Sequence, residues 1–249
     1  MVPKLYTIPL SHYCERARWA LDYCGVAYEE EQHLQIFSGR RVKKIGGKTT
    51  VPLLDTGHEI LSDSSDIVRF AASKQPSPGS SDTNRPLLYP ASANTMIMGV
   101  EETFINAYGN ATRLVTYDWF FRSLPVMLPY NAGSAPKFES RFLKIAMPLL
   151  APMIKRKFDI NRKSVAKANA LVQKTLDHVA KKLSDGRAYL NGDQFSAADL
   201  SFAAMTAILV LPKTYARTAA MRAEGSMSAQ FSMLPTVDDI PDKVGQALI

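Results

Sequence analysis

The chain has 249 residues, 46% of them hydrophobic and 21% charged, with a net charge of +7. This composition is ordinary for a globular protein with room for one large or two modest domains. Only two cysteines occur, Cys14 and Cys24, which excludes a disulfide framework and a cysteine-built zinc site. The basic residues are scattered, so we do not expect a nucleic-acid partner. We also expect no metal.

The sequence shows no targeting or membrane-spanning signal. The N-terminus lacks a basic segment followed by a long apolar run, which a secretory signal requires. The longest uncharged apolar stretch, residues 200–212, is too short to cross a bilayer. The interpretation at this stage is a cytoplasmic protein.

The N-terminal region alternates between strand and helix patterns. Residues 4–8 predict a buried strand, and Ser11 is placed to cap the helix that follows and ends near Gly25. Residues 26–34 predict a second, more exposed strand, and residues 39–47 a short, basic, mobile helix.

The stretch over residues 49–70 predicts a strand, a tight turn, a return strand and a helix. Asp55-Thr56-Gly57 is the turn signal, and the helix opens on Asp63-Ser64-Ser65-Asp66. Pro52 is unusual in a strand because proline donates no ladder hydrogen bond. The first 72 residues together predict a mixed sheet with helices on its faces, a thioredoxin-like α/β domain.

Beyond residue 72 the pattern becomes helical. We expect a thioredoxin-like domain over residues 1–74, a proline- and serine-rich linker over 75–90 and an all-α helical-bundle domain over 91–249. Expected helices cover residues 91–121, 138–158 with breaks at Pro148 and Pro152, and 164–183.

The last expected helix begins at a clear cap. Ser196 and Asp199 have the spacing of a capping box, and residues 200–211 are apolar on nearly all sides. Such a helix is expected at the centre of an all-helical domain. Residues 214–249 predict partly helical structure and a polar tail.

Four motifs together resemble those of cytosolic glutathione transferases. In chain order they are Ser11-His12-Tyr13-Cys14, Thr50-Val51-Pro52-Leu53-Leu54, Asp63-Ser64-Ser65-Asp66-Ile67 and Phe195-Ser196-Ala197-Ala198-Asp199. The resemblance spans nearly the whole chain. It implies a glutathione-binding N-terminal domain, a helical domain that shapes a pocket for a small hydrophobic electrophile, and a homodimer.

The same resemblance assigns roles to individual residues. Pro52 is expected to be cis, with the Val51 backbone facing the cysteinyl part of glutathione. Asp63 and Ser64 are expected to hold the γ-glutamyl group, although plain helix capping would also explain them. Thr50 departs from the family pattern, so the partner of the glycyl carboxylate is open among Lys48, Arg40 and Arg41.

Ser11 is the candidate catalytic residue, in the serine-type position where a hydroxyl donates to the glutathione sulfur. Lowering a thiol pKa by about two units requires roughly 2.7 kcal/mol. One hydrogen bond to an anion supplies about 1.5–3 kcal/mol, and a helix N-terminus adds roughly 0.3–1 kcal/mol. Capping alone would also explain a serine there.

Three neighbouring residues have other interpretations. Tyr6 is the alternative catalytic hydroxyl. Cys14 is interpreted as a buried small residue, and His12 is interpreted as a surface histidine.

Residues 123–161 contain five prolines and form an unusually long insertion for this family. One interpretation is a wall of the hydrophobic pocket lined by Tyr108, Phe120 and Phe121. A second is a surface that contacts a membrane or a partner through residues 154–157. Ordinary core packing is the third.

The resemblance leaves the activity open between three classes. The first is conjugation of glutathione to an electrophile. The second is a non-catalytic glutathione- or hydrophobic-ligand-binding protein, and the third is a glutathione-dependent peroxidase, lyase or isomerase.

Overall fold

The computed structural model describes residues 1–76, 85–132, 135–211 and Tyr215. The middle of the expected linker and all of the C-terminal tail except Tyr215 lie outside the described residues. The N-terminal part is a four-stranded sheet in the order β2-β1-β3-β4, and the described remainder is helical. The expected thioredoxin-like domain followed by a helical domain is confirmed.

The strands are short and their directions follow from the connections. They are β1 (Lys4–Thr7), β2 (Glu29–Gln32), β3 (Leu53–Asp55) and β4 (Ile60–Leu61). β1 pairs parallel with β2 across helix α1 (His12–Tyr23) and antiparallel with β3. The turn at Gly57, where φ is +82°, makes β3 and β4 antiparallel.

Helices cover both faces of this sheet. Leu5 and Leu54 pack in one core with residues of α1 and of α3 (Ser64–Ala72). Tyr6 and Leu53 point to the other face, towards Val42 of α2 (Gln35–Lys44). α2 begins at Gln35, so the expected start at residue 39 was wrong. The helix begins earlier because β2 ends at Gln32 and the Leu34 N–H donates to Glu139 at 2.8 Å.

The helical part has α9 at its centre. It comprises α4 (Asn94–Thr103), a π-helical turn (Phe104–Tyr108), α5 (Gly109–Arg122), α6 (Leu124–Ala132), α7 (Lys137–Lys157), α8 (Arg162–Leu183) and α9 (Ala197–Val210). Every residue of α9 from Ala197 to Leu209 is buried, and its start carries the expected capping box between Ser196 and Asp199.

One feature of the helical part differs from expectation, and a second distinguishes between two interpretations. α7 continues through Pro148 and Pro152. Both prolines lie on its exposed side, where solvent can satisfy the carbonyls that each proline leaves without a partner. Tyr108 does not line a pocket but packs in the core, which was the third interpretation: it is 1% exposed, donates or accepts a hydrogen bond with Thr206 at 2.8 Å, and stacks on Phe202.

Candidate functional site

Three chain segments meet at one end of the sheet. Ser11 follows the end of β1, Pro52 precedes β3, and Asp63 follows β4. β3 runs antiparallel to both of its neighbours, so its start lies beside the ends of β1 and β4. The fold thus brings the four motif residues Ser11, Val51, Pro52 and Asp63 to the same end of the sheet.

Ser11 is the N-cap of α1. Its Oγ accepts a hydrogen bond from the Cys14 N–H at 3.3 Å. A hydroxyl that accepts still has its own proton to donate, and Ser11 is partly exposed. The residue can therefore cap its helix and donate to a ligand at the same time.

The segment before β3 contains a cis proline and is mostly exposed. The peptide bond between Val51 and Pro52 is cis. Pro52 precedes the first residue of β3 and so stands outside the ladder. Val51 is half-buried, while Lys48, Thr49 and Thr50 before it are exposed.

The N-terminus of α3 is the third chain segment at this end of the sheet. The exposed Asp63 is its N-cap, and its Oδ1 accepts from the Ser65 N–H at 2.7 Å. The capping role considered for Asp63 is thus present. A carboxylate has about four acceptor positions, so this one bond leaves capacity for an ammonium group. Helix N–H groups at such an end favour a carboxylate ligand.

Ser64 accepts a hydrogen bond from a buried arginine that no sequence motif predicted. Arg16, in the second turn of α1, is fully buried, and its Nη1 donates to Ser64 Oγ at 2.8 Å and to Ser65 Oγ at 3.2 Å. Its Nε donates to Ser201 Oγ at 2.8 Å. Because Ser64 Oγ accepts from Arg16, its own proton is directed towards other acceptors.

The charge of Arg16 is balanced by Glu101 of α4. The two side chains form a hydrogen-bonded ion pair that is almost entirely shielded from solvent. Glu101 also accepts from the Tyr89 hydroxyl at 2.9 Å. Burial and the neighbouring Glu101 charge raise the pKa of Tyr89. This network links α1, α3, α4 and α9 directly behind the α3 N-terminus.

His12 is buried, which corrects the expectation of a surface histidine. It is 2% exposed, and its Nε2 donates to the Gly109 carbonyl at 3.0 Å. The next residue, Tyr13, donates through its hydroxyl to the Ile105 carbonyl at 2.8 Å. Both acceptors belong to the π-helical turn or its edge, where the regular helix bonding is interrupted. The two bonds tie the start of α1 to the helical part, next to Ser11.

Gly109 permits this close approach. A Cβ at this position would lie 2.8 Å from the Tyr13 hydroxyl oxygen and 2.8 Å from Met205 Sδ. Such distances are far inside van der Waals contact, and the Met205 sulfur and Tyr13 are themselves packed. Any other residue at position 109 would have to displace Met205 and the Tyr13 hydroxyl where α1 and α9 pack against α5.

The environment of His12 predicts a pH dependence of stability. Burial lowers the pKa of His12 to about 3; the Gly109 hydrogen bond opposes this and Arg113 adds to it. Between pH 6.5 and 3 the unfolded chain binds a proton that the folded chain does not, so stability falls as the pH falls. From pH 7 to pH 5 this loss should be about 2 kcal/mol.

The check is the free energy of unfolding by denaturant at both pH values, for the native chain and for His12→Gln. The glutamine amide can still donate to Gly109 but does not titrate. The variant should lose about 2 kcal/mol less than the native chain between the two pH values. Equal losses would contradict the prediction.

Tyr6 and Cys14, the alternatives near Ser11, have other surroundings. The Tyr6 ring packs in the α2-facing cluster, with the Arg41 guanidinium 5.3 Å from its centroid. Cys14 is fully buried, and burial raises the pKa of its thiol. Its Sγ accepts from the Ile8 N–H at 3.5 Å.

The three basic candidates for the glycyl carboxylate are not equivalent. Arg41 pairs through two nitrogens with Glu31. The hydrogen bonds from Arg41, together with those from Lys4 and His33, lower the pKa of Glu31. Arg40 and Lys48 are exposed, and Lys48 lies on the segment that leads to Val51.

Two surface clefts in the described structure lie elsewhere. One is lined by Met96 and by residues around Asp185 to Asp193, the other by residues that include Cys24 and Phe70. Neither includes Ser11, Pro52 or Ser64. Among the described residues no group of acidic, histidine or cysteine side chains could hold a metal ion, and no helix is long and apolar enough to cross a membrane.

Family models match both parts of the chain. The glutathione S-transferase N-terminal domain matches residues 5–79, and the glutathione S-transferase C-terminal domain matches residues 162–224. The two matches together cover more than half of the chain. The chain belongs to the glutathione S-transferase family.

Solved structures with the same fold are distant in sequence. Glutathione transferase F7 from Populus trichocarpa is 19% identical, with full coverage of both chains and a TM-score of 0.56. The maize glutathione S-transferase I solved with an atrazine glutathione conjugate is 21% identical over 100% of this chain and 98% of that one, with a TM-score of 0.56.

The beta-etherase LigF from Sphingobium sp. strain SYK-6 is 14% identical over 99% of this chain and 98% of that one, with a TM-score of 0.60. These likenesses show the fold. No curated protein sequence matches the chain.

Proposed function

We propose that this family member is a glutathione transferase of the serine type, which ionises the glutathione thiol at Ser11 and directs it at a small hydrophobic electrophile. The observation that carries the proposal is the convergence of a helix-capping hydroxyl, the Val51–Pro52 segment and the α3 N-terminus at one edge of the sheet. Glutathione is the co-substrate, and no metal takes part.

Each part of glutathione has a partner in this arrangement. The α3 N–H groups and the Ser64 hydroxyl receive the γ-glutamyl carboxylate, and Asp63 receives its ammonium group. The backbone of Val51, next to Pro52, receives the cysteinyl part. Ser11 then donates to the sulfur, and the N-terminus of α1 adds a favourable field for an anion. The packing of Tyr6 against α2 supports Ser11 over Tyr6.

Lys48 is the proposed partner of the glycyl carboxylate, because Arg41 is already paired with Glu31. Lys48→Ala should raise the KM for glutathione about two- to fivefold, because losing one exposed ion pair costs at most about 1 kcal/mol of binding free energy. Steady-state kinetics with Lys44→Ala as an equally exposed lysine control checks this. A KM that changes equally in both variants would leave Lys48 without a specific role.

The proposed organisation is a glutathione-binding domain over residues 1–74, a linker over 75–90 and a helical domain over 91–249 that shapes the electrophile pocket. The protein is proposed to act as a cytoplasmic homodimer. Family likeness and the two matched domain models support this organisation.

Glutathione-agarose retention followed by a conjugation assay with an aryl halide tests the function. Retention with turnover is expected. Retention without turnover would instead favour the non-catalytic binding protein, and turnover of a peroxide or an ether in place of the aryl halide would favour the third class. No retention and no turnover would contradict both the transferase and the binding protein.

A further inference from the structure

Helix α7 carries a large apolar face that the rest of the described structure leaves mostly exposed. Five large hydrophobic side chains on it are between 50% and 80% exposed: Phe138, Phe142, Ile145, Leu149 and Met153. Their spacings of three and four residues place them in one stripe along the helix. At a rise of about 1.5 Å per residue the stripe is roughly 22 Å long.

This stripe is additional to the face by which α7 packs on the protein. Leu143 and Met147 are each 3% exposed and form the packed face with Leu34 of the N-terminal part. Glu139, 1% exposed, accepts from His33 Nδ1 at 2.6 Å and from the Leu34 N–H at 2.8 Å. These contacts fix the rotation of α7 and keep the stripe on the outside.

The exposed charge of α7 is entirely basic. The helix has six exposed cations: Lys137, Arg141, Lys144, Lys155, Arg156 and Lys157. Three of them directly precede a stripe residue in sequence, so they border the stripe along one side. Glu139 is the only acidic residue of α7, and it is buried.

A second helix extends this basic border. Phe37 of α2 meets Phe138 and Phe142 edge-on, with ring centroids 5.7 and 5.6 Å apart. α2 carries three further exposed cations, Arg40, Lys43 and Lys44, of which Arg40 lies about one turn from Phe37. The helix that contacts both phenylalanines of the stripe is therefore also cationic on its exposed surface.

We propose that the stripe of α7 and its basic border form a docking surface for an anionic lipid membrane. A helix that lies in the membrane interface needs an apolar face to enter the acyl boundary and cations to meet the headgroups, and α7 presents both. A second copy of the chain fits this surface less well, because two α7 faces would bring like charges together.

The test is flotation of the full chain with vesicles of phosphatidylcholine alone or with about one third phosphatidylserine. Binding to the anionic vesicles is expected, with a clear loss at high salt, and little binding to the neutral ones. Leu149→Glu and the pair Arg141→Glu with Lys144→Glu should each weaken binding at least about tenfold.

Matched controls use exposed residues outside α7. Met96→Glu removes an exposed apolar side chain of α4, and Lys163→Glu with Lys167→Glu inverts two exposed charges of α8. Both should leave vesicle binding within about twofold of the native chain. Equal losses in the α7 variants and the controls, or no binding to anionic vesicles, would overturn the proposal.

Light scattering on the native chain and on Leu149→Glu separates a protein partner from a membrane. An unchanged molar mass supports the membrane surface. If Leu149→Glu converts a larger assembly into single chains, the stripe is an interface between copies and the proposal fails. Retention on glutathione-agarose should be the same for all variants, since none of the substituted residues is proposed to contact glutathione.

Discussion

Ser11→Ala should lower kcat/KM for conjugation of an aryl halide by at least tenfold. The substitution removes the proposed hydrogen bond to the thiolate, and a hydrogen bond to a charged group contributes about 1.5–3 kcal/mol. It also removes the cap bond to the Cys14 N–H, which should cost about 1 kcal/mol of stability. Kinetics must therefore be measured on folded protein at a temperature well below unfolding.

Two control variants distinguish the loss of the helix cap from the loss of the hydrogen bond to the thiolate. Ser11→Thr keeps a hydroxyl at the position and should retain most of the activity. Ser196→Ala removes the capping box of α9 and should cost a similar amount of stability with little change in kcat/KM. A rate that Ser11→Ala leaves unchanged would transfer the role to Tyr6 or to another donor.

Arg16→Met should be strongly destabilising and should also weaken glutathione binding. It leaves Glu101 as an uncompensated buried charge, and breaking a buried pair in this way costs about 3–5 kcal/mol. It also removes the donor that orients the Ser64 hydroxyl. The expected results are a lower free energy of unfolding and a higher KM for glutathione.

Arg18 offers a matched control on the same helix. It is equally buried and pairs with Glu15 and Glu30, away from α3. Arg18→Met should lose a comparable amount of stability without a specific rise in the glutathione KM. Arg16→Met with Glu101→Gln removes both charges and should recover part of the stability but not the KM. Equal KM changes in the Arg16 and Arg18 variants would refute the positioning role.

Local patterns were sufficient for much of the fold. The capping box at Ser196 and Asp199 lies within four residues, and the apolar run of α9 has no polar face, so both follow from neighbouring residues. The sheet order follows from the long connection between β1 and β2 and the tight turn at Gly57. Pro148 and Pro152 misled the prediction. Both are exposed, so solvent can satisfy the carbonyls they leave unbonded, and this exposure follows from the packing of α7 and not from the neighbouring residues.

The support of the candidate site depends on contacts between distant segments. The partners of Arg16 in Ser64 and Ser201 are 48 and 185 residues away, and no pattern around Arg16 indicates them. His12 meets Gly109 across 97 residues, so its burial could not be predicted from its place at a helix start. The motifs indicated candidate residues for a glutathione site, which stay a prediction, but they did not indicate the buried side chains that hold those residues in place.

The pKa of the glutathione thiol in the binary complex tests the central claim most directly. It can be measured by titrating the thiolate absorbance of bound glutathione in the native chain and in Ser11→Ala. The free value is about 8.5, and binding to the native chain should lower it by about two units. In Ser11→Ala it should return towards the free value by at least about one unit. A thiol pKa that is equally low in both proteins would contradict activation by Ser11.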